Sequence, residues 1–364
     1  MKNRYLTLLC TVCMAATVTC SAIPMCSFAD TTAQETAAIT DEPVKVAGPG
    51  AGSASAASSS NSSNSSNSGA GSSGTASAAT GSAASSNTAT GSTATGSTSA
   101  ADTASASASK NGYANGEQIG LNSAWKYADF SAIHTGAAVM YTATGNRKNK
   151  IVAVNAGHGT KGGSSVKTYC HPDKTAKITG GSTAAGAYKA TAVSSGMTFK
   201  DGTADAVVTL KMAQILKEKL LANGYDVLMI RDGEDVQLDN IARTVISNNV
   251  ADIHIALHWD GDSLNTTKGV FYMSVPDGLK SMEPVASHWQ EHERLGDNLI
   301  SGLKAQGIKV WSSNPLDTDL TQTSYSTIPS VDIELGNQCS DHSDSVLNTE
   351  AEGLTAGINS YFGF

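Results

Sequence analysis

Residues 151–163 read IVAVNAGHGTKGG, and the reading of this stretch decides the fold. Ile151 to Asn155 has the apolar run of a buried strand. The run breaks at Gly157, and His158 stands between Gly157 and Gly159. Glycine on both sides permits a sharp turn that leaves the imidazole at the carboxyl end of the strand, where open α/β sheets place their ligands. Three chemistries compete for this loop. It can be a plain turn with an incidental histidine. It can be a phosphate cradle, since Gly157 to Ser164 nearly spells a P-loop, but Gly163 stands where that motif needs lysine. Or His158 is a metal ligand, which requires partners elsewhere in the chain.

Downstream, Leu210, Ala213, Leu216, Leu220 and Leu221 recur at helical spacing, and Asn223-Gly224 closes that helix. Strands are expected at Tyr225 to Ile230, Ile253 to Leu257, Val270 to Val275 and Val331 to Leu335. Helices are expected at Leu238 to Asn248, Arg294 to Ala305 and Ala351 to Phe362. This alternation predicts one α/β domain with a mostly parallel, mixed central sheet covered by helices on both faces. Upstream, Ala137 to Thr142 reads as a strand, and the turn-like Thr144-Gly145-Asn146-Arg147 leads into the central strand. The expectation there is an antiparallel N-terminal hairpin, with an arm and hairpin strand over 111–150 and the principal domain over 151–364.

The first third of the chain has a different composition. Lys2 and Arg4 precede an uncharged, largely apolar run from Tyr5 to Ala29, the layout of a secretory signal peptide over 1–29. An uncleaved anchor is the alternative, because the run is long enough to span a membrane. Pro24 and the Cys, Ser and Thr content favour cleavage, leaving no stable membrane span. Residues 30–110 read as a disordered linker. From Gly48 to Ser109 it is almost wholly Ser, Ala, Gly, Thr and Asn, with Asp102 as its one charge. Such a coil reaches roughly 40–45 Å. The predicted localisation is secreted, wall-associated or extracellular.

Four of the six cysteines fall in the leader, so Cys170 and Cys339 remain. They could pair, or Cys170 beside His171 could bind metal. A net charge of −8 without a Lys/Arg cluster argues against a nucleic-acid partner. The expectation is a monomer.

The partner that His158 needs is suggested at Ile253 to Leu257, which ends in His258 and then Trp259-Asp260-Gly261-Asp262. Two strands that each deliver a histidine at the carboxyl end suit a metal site at a sheet rim. His254 shares the strand face of His258 by parity but lies roughly 13 Å away, too far to share a metal. Glu334 follows the apolar segment Ser330-Val331-Asp332-Ile333, where a partly desolvated carboxylate suits a general base.

Together these segments resemble the bacterial zinc-dependent N-acetylmuramoyl-L-alanine amidases of the type 3 group. NAGHGTKGG resembles that family's first histidine loop, and ADIHIALHWDGDS its second histidine strand. IPSVDIELGNQCS resembles the segment of pattern P-x-x-x-x-E-x-G that carries the catalytic glutamate. IRDGEDVQLDNIARTVISN is similar to the T-R-D…L-x-x-R stretch and marks Arg231 and Arg243, expected to hold loops or a helix cap rather than substrate. The resemblance covers about 151–362. It implies hydrolysis of the amide between muramic acid and L-alanine in peptidoglycan, with Zn2+ held by His158 and His258 and Glu334 as catalytic acid/base. The family's remaining ligand is a glutamate just before the helix preceding Arg231. Asp205 stands there in this chain, one methylene shorter, with Asp201 as the fallback. Trp259 and Asp260 replace the family's small residue and Asn. They are expected to bind substrate, Trp259 by stacking on a sugar and Asp260 by contact with substrate or with a metal-ligating imidazole.

Rival chemistries remain. His288-Trp289-Gln290-Glu291-His292 spells the inverted zinc-protease motif H-x-x-E-H, although His288 and His292 share a helical stripe with Leu295, Leu299 and Leu303. A zinc carboxypeptidase on wall peptides would use the same groups. A catalytically inactive envelope-binding protein is the non-enzymatic alternative, and the aspartate at 205 is its best support.

Overall fold

A computed structural model describes residues 109–364. The expected leader and nearly all of the expected linker lie outside the described residues. The strands are β1 (Gln118–Gly120), β2 (Ala137–Tyr141), β3 (Ile151–Ala156), β4 (Lys167–Tyr169), β5 (Lys189–Thr191), β6 (Asp226–Met229), β7 (Ile253–Asp260), β8 (Phe271–Ser274), β9 (Leu316–Asp317) and β10 (Ser330–Asn337). Eight of them form one sheet in the order β1-β2-β6-β3-β7-β10-β8-β9, while β4 and β5 pair separately. The central pairs β6-β3, β3-β7 and β7-β10 are parallel. Antiparallel pairs join β1 to β2, β2 to β6 and β8 to β10.

The helices are α1 (Asp205–Ala222), α2 (Asn240–Val250), α3 (Val285–Ala305), α4 (Thr321–Tyr325) and α5 (Asp344–Phe362). Strand parity decides which side each covers. Val152 and Val154 of β3, with Ile253, Ile255 and Leu257 of β7, face the apolar stripes of α1, α3 and α5. Ile151 and Ala153 face the opposite side, against Ala242, Ile246 and Val250 of α2. Leu216 and Leu220 on α1 are fully buried, each contributing roughly 1.5–3 kcal/mol. Leu216→Ala would leave a cavity and cost about 2–5 kcal/mol. Among the described residues no helix is long and apolar enough to cross a membrane.

Two expectations need correction. β2 does not pair with β3, because β6 lies between them and takes both as partners. The N-terminal extension is therefore antiparallel, as expected, but it is docked on β6. The turn-like 144–147 segment permitted either arrangement, and only the long-range partner decided. The second correction concerns β7, which does not stop at His258. Its pairing with β10 continues to Asp260 opposite Asn337, and that alters the place of Trp259, as shown below.

Candidate metal centre and active site

β3 ends at Ala156 and delivers His158 in a left-handed backbone conformation, φ 64°, which a non-glycine residue adopts at a cost. The loop beyond it does not enter an α-helix, since the next one begins only at Asp205, so the P-loop alternative fails. The loop is held by two buried guanidiniums. Arg231 donates to the Ala156, Gly157 and Ala206 carbonyls. Arg243 donates to the Ala156 and His158 carbonyls and to the side chains of Asn155 and Thr160. Desolvation lowers Arg243 to about 9, which still leaves it cationic at neutral pH. Both arginines hold loops, as expected, and Arg231 ties the histidine loop to the first turn of α1.

That turn carries Asp205, which is 1% exposed and is the first residue of α1. Its Oδ2 lies 2.8 Å from His158 Nε2. His158 Nδ1 faces the Ser194 carbonyl at 2.9 Å. A carbonyl only accepts, so Nδ1 donates to it, with the Ser194 hydroxyl 3.1 Å from the same nitrogen, and Nε2 is the nitrogen turned to Asp205. An imidazole nitrogen and a carboxylate at that separation need a proton or a cation between them. His258 Nδ1 completes the cluster, 3.0 Å from His158 Nε2. Burial first, then His158, Arg243 and Arg231, hold His258 well below its ordinary value and keep it neutral.

His158, Asp205 and His258 thus bring three donor atoms within 4.8 Å of one another, the one such group among the described residues. Asp205 Oδ1 is buried without a hydrogen-bond partner. Zinc bonds of ~2.0–2.2 Å set tetrahedral donors roughly 3.3 Å apart, a few tenths of an ångström more than the 2.8 and 3.0 Å that separate His158 Nε2 from Asp205 and His258. The donor set fits the ion. The fallback ligand does not, because Asp201 is exposed and paired with His342 at 3.2 Å.

Glu334 on β10 stands opposite His258 in register. It is 8% exposed, with Oε2 buried and unpartnered. Burial, then Asp332, Asp260 and Asp205, raise its carboxyl well above the ordinary range, and Lys268 opposes them. His158, Asp205, His258 and Glu334 all line one cavity of about 630 Å3. Its walls come from segments 181–197 and 320–322. The first belongs to the connection around β5, which Asp319 ties to the second. Asp319 bonds His171 Nε2 at 2.9 Å, accepts from Ile178 N at 2.6 Å and contacts the buried Lys177.

Trp259 is among the residues lining the cavity, but its indole is not exposed for stacking. Because β7 runs on to Asp260, the period of two turns the indole away from His258 and into the core beside Phe199, leaving it 2% exposed. Asp260 lines the cavity as well, and its carboxylate is held by Lys268 Nζ at 2.5 Å and not by an imidazole. The carboxylate nearest the far nitrogen of His258 is Asp332, whose Oδ2 lies 3.6 Å from Nε2. Burial, then Asp205, pushes Asp332 up to about 7. Sequence reading passed over Asp332, though an acidic residue two positions before Glu334, and so on the same strand face, was the available signal.

The H-x-x-E-H alternative gathers no ligands. His292 is buried in α3 and accepts from Ser330 N at 2.9 Å, while His288 Nδ1 faces the Pro284 carbonyl. Cys170 and Cys339 are both free thiols, and His171 is bonded to Thr175 and Asp319 rather than joined with Cys170 at a metal.

Comparison with known proteins adds three findings. The family model described as N-acetylmuramoyl-L-alanine amidase matches residues 152–359, more than half of the chain. Solved structures of like fold include the N-acetylmuramyl-L-alanine amidase of Mycobacterium smegmatis, at 17% identity and TM-score 0.50, covering 60% of this chain and 99% of the other. The Mycobacterium abscessus amidase gives 20% identity and TM-score 0.47 over 58% of this chain and 98% of its own. No curated protein sequence matches this one.

Proposed function

The chain belongs to the N-acetylmuramoyl-L-alanine amidase family, and from that premise we propose that it is a zinc hydrolase cleaving the amide between N-acetylmuramic acid and L-alanine in peptidoglycan. The observation that carries the zinc chemistry is the convergence of His158, Asp205 and His258 on one point of the cavity wall. Zinc held there supplies Lewis acidity and a water that deprotonates more easily.

The chain's own groups do the rest. Glu334, with its raised carboxyl, is suited to take the proton of the attacking water and return it to the departing alanine nitrogen. The attacking group is water rather than a side chain, so no covalent enzyme intermediate is required. His258 stays neutral and keeps a lone pair for the metal. Arg231 and Arg243 fix the backbone that carries His158. Asp260, anchored on Lys268, offers substrate a polar contact at the cavity wall.

We place this work outside the cell membrane, on the strength of the leader-like residues 1–29 and the linker 30–110. N-terminal sequencing of exported protein tests that, and a cytoplasmic protein with an intact leader would count against it. The chemistry is tested by digesting purified peptidoglycan with the protein and analysing the products by mass spectrometry. Stem peptides bearing a free N-terminal alanine, lost on zinc chelation and restored by zinc, are the expected result. Shortened stems still attached to glycan would indicate a carboxypeptidase. Sedimentation with the wall without cleavage would indicate an inactive binding protein.

A further inference from the structure

We propose that Asp332 is a positioning residue for the metal centre, accepting a hydrogen bond from His258 Nε2–H and so fixing Nδ1 as the metal-binding nitrogen. This inference rests on the zinc site argued above.

The two histidines provide the comparison. Each turns one ring nitrogen to the point where the donors converge, since His158 Nε2 and His258 Nδ1 lie 3.0 Å apart. His158 has its far nitrogen on a main-chain oxygen, that of Ser194. His258 has its far nitrogen facing a carboxylate, Asp332 Oδ2 at 3.6 Å, within ion-pair distance and just beyond hydrogen-bond length. An oxygen behind a ligating imidazole fixes its tautomer and orientation and raises its basicity.

The strand register explains how Asp332 reaches there. It pairs with Ala256, and Glu334 pairs with His258, so Asp332 is the diagonal neighbour of His258 on the same sheet face. Among the described residues His258 is the one basic side chain within ion-pair distance of Asp332, and Asp332 Oδ1 is buried with no partner. A buried carboxylate oxygen is costly unless something compensates it. The ring N–H of a metal-bound His258 would be that compensation. Glu334 is thereby left free for proton transfer, and the two carboxylates of β10 have separate tasks.

The test measures zinc affinity of the purified protein by competition with a chromophoric chelator, for wild type, Asp332→Asn, Asp332→Ala and His158→Ala. Wild type is expected to bind one zinc and His158→Ala to lose it. Asp332→Asn and Asp332→Ala should weaken binding by about tenfold to a hundredfold, with unchanged circular dichroism in the metal-free state. Tight zinc binding by wild type, lost in His158→Ala but equal in both Asp332 variants, would overturn the role of Asp332 and leave the zinc site standing. Failure of wild type to bind zinc would remove the site itself. If the variants do not fold, long-range proton–nitrogen NMR of zinc-loaded wild type decides instead. A proton on Nε2 of His258 and a metal-shifted Nδ1 are expected, and the opposite tautomer would refute the proposal.

Discussion

His254 and His258 stand on one face of one strand, four residues apart, and the structure gives them opposite fates. His254 is fully buried, its Nδ1 lies 3.3 Å from Ser330 Oγ, and its Nε2 meets no partner. Desolvation, with Arg243 and His292, lowers it to about 3, so it remains a neutral core side chain. His258 opens on the cavity, with a second imidazole at one ring nitrogen and a carboxylate near the other. Residue type and strand parity are the same. What differs is depth along the sheet, because loops leave the parallel strands at the carboxyl edge and converge there. His292 in α3 repeats the lesson. It belongs to a recognisable metal motif, yet it sits in the core with its Nδ1 occupied by Ser330 N.

The sharpest way to break this contrast is at the open end. Glu334→Gln keeps the shape and removes the proton acceptor, so peptidoglycan hydrolysis should fall by roughly 10²–10⁴-fold, with zinc affinity retained. Product release followed by mass spectrometry checks it, and a loss below fivefold would remove Glu334 from the proton transfer. Next in size is Gly157→Ala. A Cβ at that position would meet the His258 ring at 2.2 Å. The imidazole must move, and a displacement near 1 Å is expected to cost about 10²-fold in turnover. Equal activity would mean that the ring has slack.

The closed end should be felt through acid stability. His254 and His292 are each lowered to about 3 in the fold from an ordinary 6.5. Between those values the unfolded chain binds protons that the folded chain does not. Their contribution is therefore full above pH 6.5 and is lost as pH falls toward 3. The raised carboxyls of Asp332 and Glu334 act in the opposite sense, so the informative quantity is the difference between parent and variant. Urea midpoints of the parent should drop more between pH 7 and 4.5 than those of His254→Leu, and parallel curves would show that His254 titrates normally.

The smallest expected effect is that of His254→Leu at neutral pH. Its Nε2 has no partner to lose, so stability should change by less than about 1 kcal/mol and hydrolysis by less than twofold. A large loss of activity would make the buried histidine part of the site after all.

Much of this was legible in the chain. The apolar runs and their helical or strand periods identified the α/β domain, the strand leading to His158, the strands of His258 and Glu334, and the body of the helix from Leu210; Asp205 came only from the family resemblance. Those are local properties, fixed by side-chain spacing and by glycine at the turns. Tertiary structure alone decided the rest. It inserted β6 between β2 and β3, since a turn-like segment does not name its strand partner. It extended β7 by two residues through pairing with β10, and by that extension sent Trp259 into the core. It set Asp205, the first residue of α1, against His158 and left Asp201, four residues earlier, exposed beside His342. And it set Asp332 beside His258 through a diagonal contact between strands that lie some 75 residues apart in sequence. Periodicity tells which face a side chain takes, but which other chain segment shares that face is settled only when the whole sheet forms.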